Sequence, residues 1–197
     1  MNLPNALTLL RVLLIPVFIF FLSSYTPLDI PLGTRAVIAT CIFFAASMTD
    51  WLDGYIARST GQITRLGKLF DPIADKLLTS SALILLVSLH GEAPAWIAIV
   101  IIGREFAVTG LRAAASSAGH VIPATEGGKA KMVFQTIAII ALLLDIGVKS
   151  AYLDMFWIGT VALWISMILA VISGVQYFAE YWDKIGLSGD GGGEGGQ

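Results

Sequence analysis

Six long apolar segments constrain the fold of this 197-residue chain more than any other feature. A helix needs roughly 20 mostly apolar residues to cross the hydrocarbon core of a bilayer. Segments of about that length lie near 9–28, 34–56, 69–89, 94–115, 132–148 and 155–178. In lipid, such continuous runs satisfy their backbone hydrogen bonds only as helices. We therefore predict an all-α integral membrane protein with six transmembrane helices.

Composition supports a membrane protein. Hydrophobic residues make up 56% of the chain and charged residues 13%, whereas a soluble domain carries about 25% charge. The net charge of −2 argues against a basic nucleic-acid binder, so we expect no nucleic-acid partner. Cys41 is the single cysteine, which excludes an intramolecular disulfide, and we expect it to be a small buried hydrophobe.

The distribution of Lys and Arg residues predicts the orientation of the protein in the membrane. With the N-terminus in the cytoplasm, eight Lys and Arg residues fall at the cytoplasmic side and two, Arg35 and Lys149, at the outer side. This bias favours cytoplasmic termini. We interpret the first segment as a retained span, since no cleavage site follows it. We expect one six-helix domain over 1–186 and a Gly-rich disordered tail over 187–197.

Four carboxylates interrupt the second and third segments near one membrane face. Asp50 and Asp53 are three residues apart and share a helix face, as do Asp71 and Asp75, which are four apart. Charges within a span are costly and mark functional sites. A short connection makes the two helices antiparallel neighbours, so the four acids can converge. One or two divalent cations would relieve their repulsion, and oxygen ligands indicate Mg²⁺ or Mn²⁺.

Small and basic residues beside the acids fit an anionic ligand. Gly54, Ala57 and Gly67 leave room for close approach. Arg58 lies one turn beyond the acids and could bind an anionic oxygen. Metal ions, an arginine and an anionic ligand together are typical of a phosphoryl-transfer site.

Written out, the run is Asp50-x2-Asp53-Gly54-x2-Ala57-Arg58-x8-Gly67-x3-Asp71-x3-Asp75. This run resembles the signature of the CDP-alcohol phosphatidyltransferase family at every fixed position. Within that family, the chain is most similar to the bacterial enzymes that use sn-glycerol 3-phosphate as acceptor. That similarity lies in NLPNALTLLR (2–11), LFDPIADK (69–76), GREFAVTGLR (103–112) and GKAKM (128–132).

The resemblance implies a six-helix bundle with a polar cavity facing the cytoplasm. It also implies an activity: transfer of the phosphatidyl group from CDP-diacylglycerol to sn-glycerol 3-phosphate, giving phosphatidylglycerophosphate and CMP. Asp50, Asp53, Asp71 and Asp75 would bind two metal ions, and Asp75 would be the general base. The resemblance further suggests a homodimer in a bacterial inner membrane, with the active site facing the cytoplasm.

Substrate-binding residues follow from the same resemblance. The CDP-lipid would be bound by Gly54, Ala57, Arg58 and Gly67, with Asn5 and Thr8 at the same face. For Asn5, Thr8 and Arg11, capping and headgroup anchoring are equally good interpretations. The acceptor phosphate would be bound by Arg104, Arg112, Lys129 and Lys131, of which the last three could instead be lipid-headgroup anchors.

Arg104 lies deep in the fourth predicted span, where an unpaired guanidinium is costly, so it needs a partner. We expect that partner on another helix or in a ligand phosphate. Pairing with Glu105 is expected to be geometrically poor, because adjacent residues on a helix point apart.

Two alternatives remain at this point. One is a related transferase with another acceptor, such as a cardiolipin synthase that uses phosphatidylglycerol. The other is a small ion-coupled transporter, because intramembrane carboxylates also serve transport. Against transport, the acids cluster at one face and the sequence shows no inverted repeat.

Overall fold

The protein is described as a computed structural model. The structure describes residues 3–24, 26–60, 65–89, 92–117, 126–148 and 154–181. Among these, the side chains of 3–7, 50–60, 65–72, 117 and 126 are outside the description. The predicted tail over 187–197 also lies outside the described residues.

Every described secondary-structure element is a helix. In chain order they are α1 (Leu3–Leu22), α2 (Leu32–Thr60), α3 (Arg65–Ser88), α4 (Ala95–Ser117), α5 (Glu126–Gly147) and α6 (Met155–Tyr181). Each predicted segment therefore corresponds to one helix. The all-α prediction is confirmed for the part of the chain that the structure describes.

Three helix ends differ from the prediction by six residues. The first helix begins at Leu3 rather than near residue 9 and ends at Leu22 rather than near residue 28. Beyond it, the Thr26 amide bonds to Ser23 O and the Thr26 hydroxyl donates to Phe20 O, so the chain turns. Pro27 disfavours helix at Thr26. The fifth helix begins at Glu126 rather than near residue 132, which places Lys129 and Lys131 on the helix.

Among the described residues, three helices contain stretches that are long and apolar enough to cross a membrane. These stretches are Leu32–Thr49 within α2, Gly127–Gly147 and Met155–Tyr181. A shorter apolar stretch, Thr8–Leu22, lies in α1. The protein is an integral membrane protein. Six complete spans stay a prediction for α1, α3 and α4, and charged residues interrupt the last two of these.

The helices pack around a main apolar core, and a second, smaller cluster joins α4 and α6. Side chains from all six helices meet in the main core, including Phe18, Phe43, Leu83, Ile101 and Leu142, each with no exposed surface. Close packing (rather than withdrawal from water) holds helices together in lipid, and small residues permit it. A Cβ at Gly159 would lie 2.6 Å from Leu142 Cγ, so α6 approaches α5 closely at this glycine.

Glycines also bring α2 against α5. A Cβ added to Gly147 would lie 2.7 Å from Val37 Cγ2, and one added to Gly33 would lie 3.2 Å from Gly147 O. The start of α2 therefore meets the end of α5. Since Arg35 Nη1 also donates to Ser23 O at 2.9 Å, the end of α1 joins the same end of the bundle.

Many large apolar side chains remain exposed on the outside of the bundle. They include Leu13 at 58%, Ile99 at 69%, Trp157 at 62% and Val175 at 63%. An exposed apolar exterior around a packed interior is suited to a lipid environment. Cys41 lies on this exterior, so the prediction that it is buried was wrong. The position carries a small side chain facing outward from α2.

Candidate active site

A small polar cavity lies between α3, α4, α5 and α6, and we call it the basic cavity. Its volume is about 190 Å³, which corresponds to roughly six water molecules at their share of liquid volume. Ionisable and polar side chains dominate its lining, namely Asp75, Thr79, Arg104, Glu105, Arg112, Lys129, Lys131, Gln135 and Tyr177. All four residues predicted to bind an acceptor phosphate are therefore brought together, and Asp75 lies with them.

Arg104 is held in place from α6. Its Nη2 donates to Ser173 Oγ at 2.8 Å, and its Nε donates to the Ala170 carbonyl at 3.3 Å. The guanidinium carbon lies 5.8 Å from the centre of the Tyr177 ring, a cation–π distance. At Gly174, a Cβ would lie 3.2 Å from Arg104 Cγ. This glycine gives the arginine its path between α4 and α6.

Glu105 joins two of the cations. Its Oε1 accepts from Arg104 Nη1 at 2.6 Å and from Lys131 Nζ at 3.0 Å. The side chains of Arg104, Glu105 and Lys131 are only 12%, 17% and 4% exposed. A charge this deeply buried is costly unless it is paired. The carboxylate thus allows two cations to remain at the wall of one cavity.

The structure overturns one detail of this prediction. Arg104 and Glu105 do pair, although adjacent helix residues point apart at their Cβ atoms. The long Arg104 side chain extends to α6, and the Glu105 carboxylate extends to Lys131. The guanidinium and the carboxylate are nevertheless in contact, because both side chains are long enough to compensate for their Cβ directions. The expectation of a partner on another helix is confirmed by Ser173 and the Ala170 carbonyl.

Asp75 enters the basic cavity from α3. Its side chain is partly exposed, and Thr79 one turn later lines the same cavity. The Thr79 hydroxyl donates to the Asp75 carbonyl at 3.0 Å, so it satisfies itself within the helix. Of the predicted acidic set, Asp75 is the member whose side chain the structure describes, and it lies among the basic residues of the cavity.

The other acids can be placed by their backbone. Asp50 and Asp53 lie on α2 and Asp71 on α3, while their side chains are outside the described part of the structure. Since a helix rises about 1.5 Å per residue, Asp50 and Asp75 lie about 15 Å from the helix ends at Thr60 and Arg65. The two helices contact each other, so these positions share one depth. That placement fits a shared metal site.

No described set of three or more His, Cys, Asp or Glu side chains is close enough to hold a metal ion. The described side chains include Asp75 but not the other three predicted acids. Five residues predicted to bind the CDP-lipid also lie on helices, but their side chains are outside the description. These residues are Asn5, Gly54, Ala57, Arg58 and Gly67.

Thr8 and Arg11 are both buried, at 4% and 1% exposure. Arg11 Nε donates to the Ala46 carbonyl at 3.3 Å, one helical turn before Asp50. An arginine at this depth is poorly placed to anchor lipid headgroups at the surface. Substrate contact by this N-terminal segment stays a prediction.

Sequence reasoning missed several residues of the basic cavity. Glu105, Gln135, Ser173 and Tyr177 had no predicted role there, yet each lines the cavity or binds Arg104. Glu105 and Gln135 were detectable in principle as polar residues inside apolar segments. Nothing in the sequence indicates that Ser173 or Tyr177 faces Arg104, because both lie on a helix distant along the chain.

These features define a class of protein: a helical membrane protein whose embedded cavity carries clustered cations beside an acid, suited to a phosphorylated ligand. Comparison with known proteins then gives the family. The sequence matches the CDP-alcohol phosphatidyltransferase family over residues 1–172.

Similar proteins are known from several bacteria. CDP-diacylglycerol–glycerol-3-phosphate 3-phosphatidyltransferase of Bacillus subtilis is 43% identical over 195 residues, covering 95% of this chain and 98% of the relative. The protein of that name from Rickettsia felis is 38% identical, with coverages of 90% and 93%. A probable phosphatidylglycerophosphate synthase of Mycobacterium tuberculosis is 40% identical, with coverages of 94% and 84%.

The chain belongs to the CDP-alcohol phosphatidyltransferase family. It is therefore a transferase, which removes the small-transporter alternative. Members of this family generally depend on a divalent metal ion.

Proposed function

We propose that this protein transfers the phosphatidyl group of CDP-diacylglycerol to sn-glycerol 3-phosphate, forming phosphatidylglycerophosphate and releasing CMP. The observation that carries the proposal is the basic cavity, where Asp75 and four predicted phosphate-binding residues line one small space. The relatives named for this reaction match nearly the whole chain, which supports the same acceptor here.

The charges of the basic cavity suit a phosphate monoester. Arg104, Arg112, Lys129 and Lys131 supply four positive charges, and Asp75 and Glu105 supply two negative ones. The net charge of the lining is thus two positive units. A phosphate monoester carries about −1.5 to −2 charge near neutral pH. Binding this group balances the cavity, whereas a neutral alcohol such as serine's hydroxymethyl group would leave the cations uncompensated.

Cavity size favours a small acceptor over a lipid acceptor. The space of about 190 Å³ is below the roughly 300–1,000 Å³ typical of pockets for drug-sized ligands. Glycerol 3-phosphate needs less room than phosphatidylglycerol, whose acyl chains would have to leave through the lipid side. The structure therefore favours glycerol 3-phosphate over the acceptor of a cardiolipin synthase.

We assign the metal site to Asp50, Asp53, Asp71 and Asp75, which would hold two Mg²⁺ or Mn²⁺ ions. Support comes from matched depths on the contacting helices α2 and α3, where Asp50 and Asp75 each lie ten residues from the neighbouring helix ends and Asp53 and Asp71 lie seven and six residues from them. Carboxylate oxygens are the ligands these ions prefer. Ions held by these residues would neutralise the pyrophosphate of the CDP-lipid, which would make CMP a better leaving group.

The CDP-lipid is assigned to the neighbouring surface of α1, α2 and α3. Gly54, Ala57, Arg58 and Gly67 follow the acids on α2 and precede them on α3, and Asn5 and Thr8 lie on α1. The contacts of α1 with both α2 and α3 support one common binding region. Burial of Arg11 against Ala46 places a further cation in this region.

Asp75 acts as the general base in the proposed reaction. The primary hydroxyl of the acceptor loses its proton to the Asp75 carboxylate while its oxygen bonds to the phosphorus that carries diacylglycerol. The bond from that phosphorus to the bridging anhydride oxygen breaks, and CMP leaves with the electron pair. The cations of the basic cavity hold the acceptor's own phosphate, so its hydroxyl is oriented toward Asp75. No covalent enzyme intermediate is required.

The proposal is tested by CMP release from CDP-diacylglycerol by the purified protein in detergent. Release is measured with and without sn-glycerol 3-phosphate, in Mg²⁺ or in EDTA. We expect release only when both the acceptor and the metal ion are present. Metal-dependent release with a different alcohol alone would contradict the acceptor, and release undiminished by EDTA would contradict the metal site.

A further inference from the structure

Gln135 is a buried polar residue that the reaction described above does not use. Its side chain lines the basic cavity, and the residue is 3% exposed. Its side-chain oxygen accepts no hydrogen bond within the described part of the structure. An oxygen buried without a partner carries a desolvation cost, so proteins seldom retain one without a reason. A hydroxyl group of a ligand bound in this cavity would provide the missing donor.

The position of Gln135 relative to Lys131 fits a three-carbon phosphate. The two residues are four apart on α5, so they lie on one face with Cβ atoms about 5–6 Å apart. Lys131 is held at the cavity wall by Glu105. A glycerol phosphate with its phosphate at Lys131 can therefore extend its carbon chain one helical turn deeper, to Gln135.

Gln135 also lies at the depth of the proposed general base. It is nine residues from the start of α5, and Asp75 is ten residues from the start of α3. Both helices begin at the same end of the bundle and contact each other. An acceptor reaching Asp75 with its primary hydroxyl thus brings the adjacent secondary hydroxyl to the level of Gln135.

We propose that Gln135 accepts a hydrogen bond from the secondary (C2) hydroxyl of the glycerol-phosphate acceptor and makes the cavity selective for acceptors that carry it. This inference rests on the proposed function and assigns the specificity of the same site. An acceptor without that hydroxyl leaves the buried oxygen unpaired in the complex, which is how a hydrogen-bonding site rejects such an analogue.

The test compares two acceptors, sn-glycerol 3-phosphate and 3-hydroxypropyl phosphate, which keeps the primary hydroxyl and the phosphate but lacks the C2 hydroxyl. CMP release gives kcat/KM for each. We expect the unmodified protein to prefer glycerol 3-phosphate by about 10- to 100-fold, the effect of one unsatisfied buried acceptor. In Gln135→Leu, which has similar volume and no oxygen, this preference should fall to less than about 3-fold.

Two further variants serve as controls. Gln135→Glu keeps an acceptor oxygen, so it should retain the preference even if added negative charge lowers both rates. Thr136→Val changes the next residue, which does not line the cavity and whose hydroxyl bonds to Met132 O within the helix, and should leave the preference unchanged. Because the result is a ratio within each variant, it does not depend on how much of the protein is folded.

The outcomes separate this inference from the proposed function. If the unmodified protein used both acceptors equally, or if Gln135→Leu kept the full preference, the role of Gln135 would be overturned while the transferase activity stood. If neither acceptor supported CMP release by the unmodified protein, the proposed function would fail, and the role of Gln135 would fail with it.

Discussion

At the scale of single residues, Asp75 is the predicted metal ligand whose side chain the structure describes. It lines the basic cavity together with Arg104 and Lys131 and belongs to the predicted acidic set of α2 and α3 at the same time. A general base must reach the proton it removes, and Asp75 lies beside the cations proposed to hold the acceptor's phosphate.

Asp75→Asn should lower CMP release by about 10²- to 10⁴-fold, the usual contribution of a general base. Binding of CDP-diacylglycerol in Mg²⁺ should persist in part, because three carboxylates remain for the metal ions. Both quantities are measured on the purified variant. Asp145→Asn, on α5 outside the cavity lining, provides the matched control. Full activity in Asp75→Asn would refute the assignment of the base.

Arg112 lies at the exposed edge of the basic cavity. Arg112→Ala should raise the KM for glycerol 3-phosphate by about tenfold or more, since a hydrogen bond to a charged group contributes about 1.5–3 kcal/mol. The KM for CDP-diacylglycerol should change little. Arg112→Lys keeps the charge but not the bidentate geometry. Its KM for glycerol 3-phosphate should therefore lie between those of the unmodified protein and Arg112→Ala. An equal rise in both KM values would contradict a specific role of Arg112 in binding the acceptor.

Glu105 should matter for stability as well as for the site. Removing one partner of a fully buried ion pair costs about 3–5 kcal/mol. Glu105 keeps 17% exposure, so the loss in Glu105→Gln should be smaller but still visible as a lower melting temperature in detergent. In the double variant Glu105→Gln/Lys131→Met, the total loss of stability should be less than the sum of the losses in the two single variants. Additive losses would show that the pair is not coupled.

Some residues of the candidate site could be identified from the sequence, and others could not. The four acids and four cations were identifiable because charges are rare in apolar segments. The contact between Arg104 and Glu105 was predicted wrongly, because helix geometry describes Cβ directions and not where long side chains end. Gln135 could not be distinguished from any other polar residue until its burial and its unpaired oxygen were known.

At the scale of helices, glycine positions control how closely the elements pack. Gly159→Ala places a Cβ 2.6 Å from Leu142 Cγ and 3.0 Å from the Leu142 backbone nitrogen, so α6 must move away from α5. We expect a loss of about 1–3 kcal/mol, as for other overpacked sites, measured by thermal unfolding in detergent. The preference between acceptors should be unchanged in the surviving protein.

Gly103→Ala is the matched control for this substitution. A Cβ at Gly103 meets nothing within 4 Å, so α4 should tolerate it without loss. If both variants were equally destabilised, the contact between α5 and α6 at Gly159 would not be the cause.

The helices themselves were largely predictable, and their ends less so. Apolar length fixed the number and order of the elements, because lipid leaves helices as the only suitable structure for such segments. The end of α1 depended on a turn at Ser23 to Thr26 that hydropathy does not register. The start of α5 at Glu126 lies in a polar stretch whose helical state depends on packing against α6.

For the whole molecule, the distribution of charge predicts one orientation in the membrane. The basic cavity is formed where α3 and α5 begin and α4 ends, and this is the side to which the Lys and Arg bias assigns the cytoplasm. A cytoplasmic site would meet its soluble acceptor and release CMP on the same side. The homodimer suggested by the family resemblance stays a prediction.

Cysteine labelling of intact cells tests the orientation. Cys41 is the single cysteine, so Cys41→Ala gives a background free of thiols. Asp29→Cys lies in the exposed connection between α1 and α2, and Ser116→Cys lies at the exposed end of α4, on opposite sides of the bundle. A membrane-impermeant maleimide should label Asp29→Cys in intact spheroplasts, and Ser116→Cys only after the membrane is opened. The reverse pattern would place the basic cavity outside the cell, away from any cytoplasmic supply of glycerol 3-phosphate. It would contradict both the orientation and the cellular setting of the proposed reaction, while activity in detergent would be unaffected.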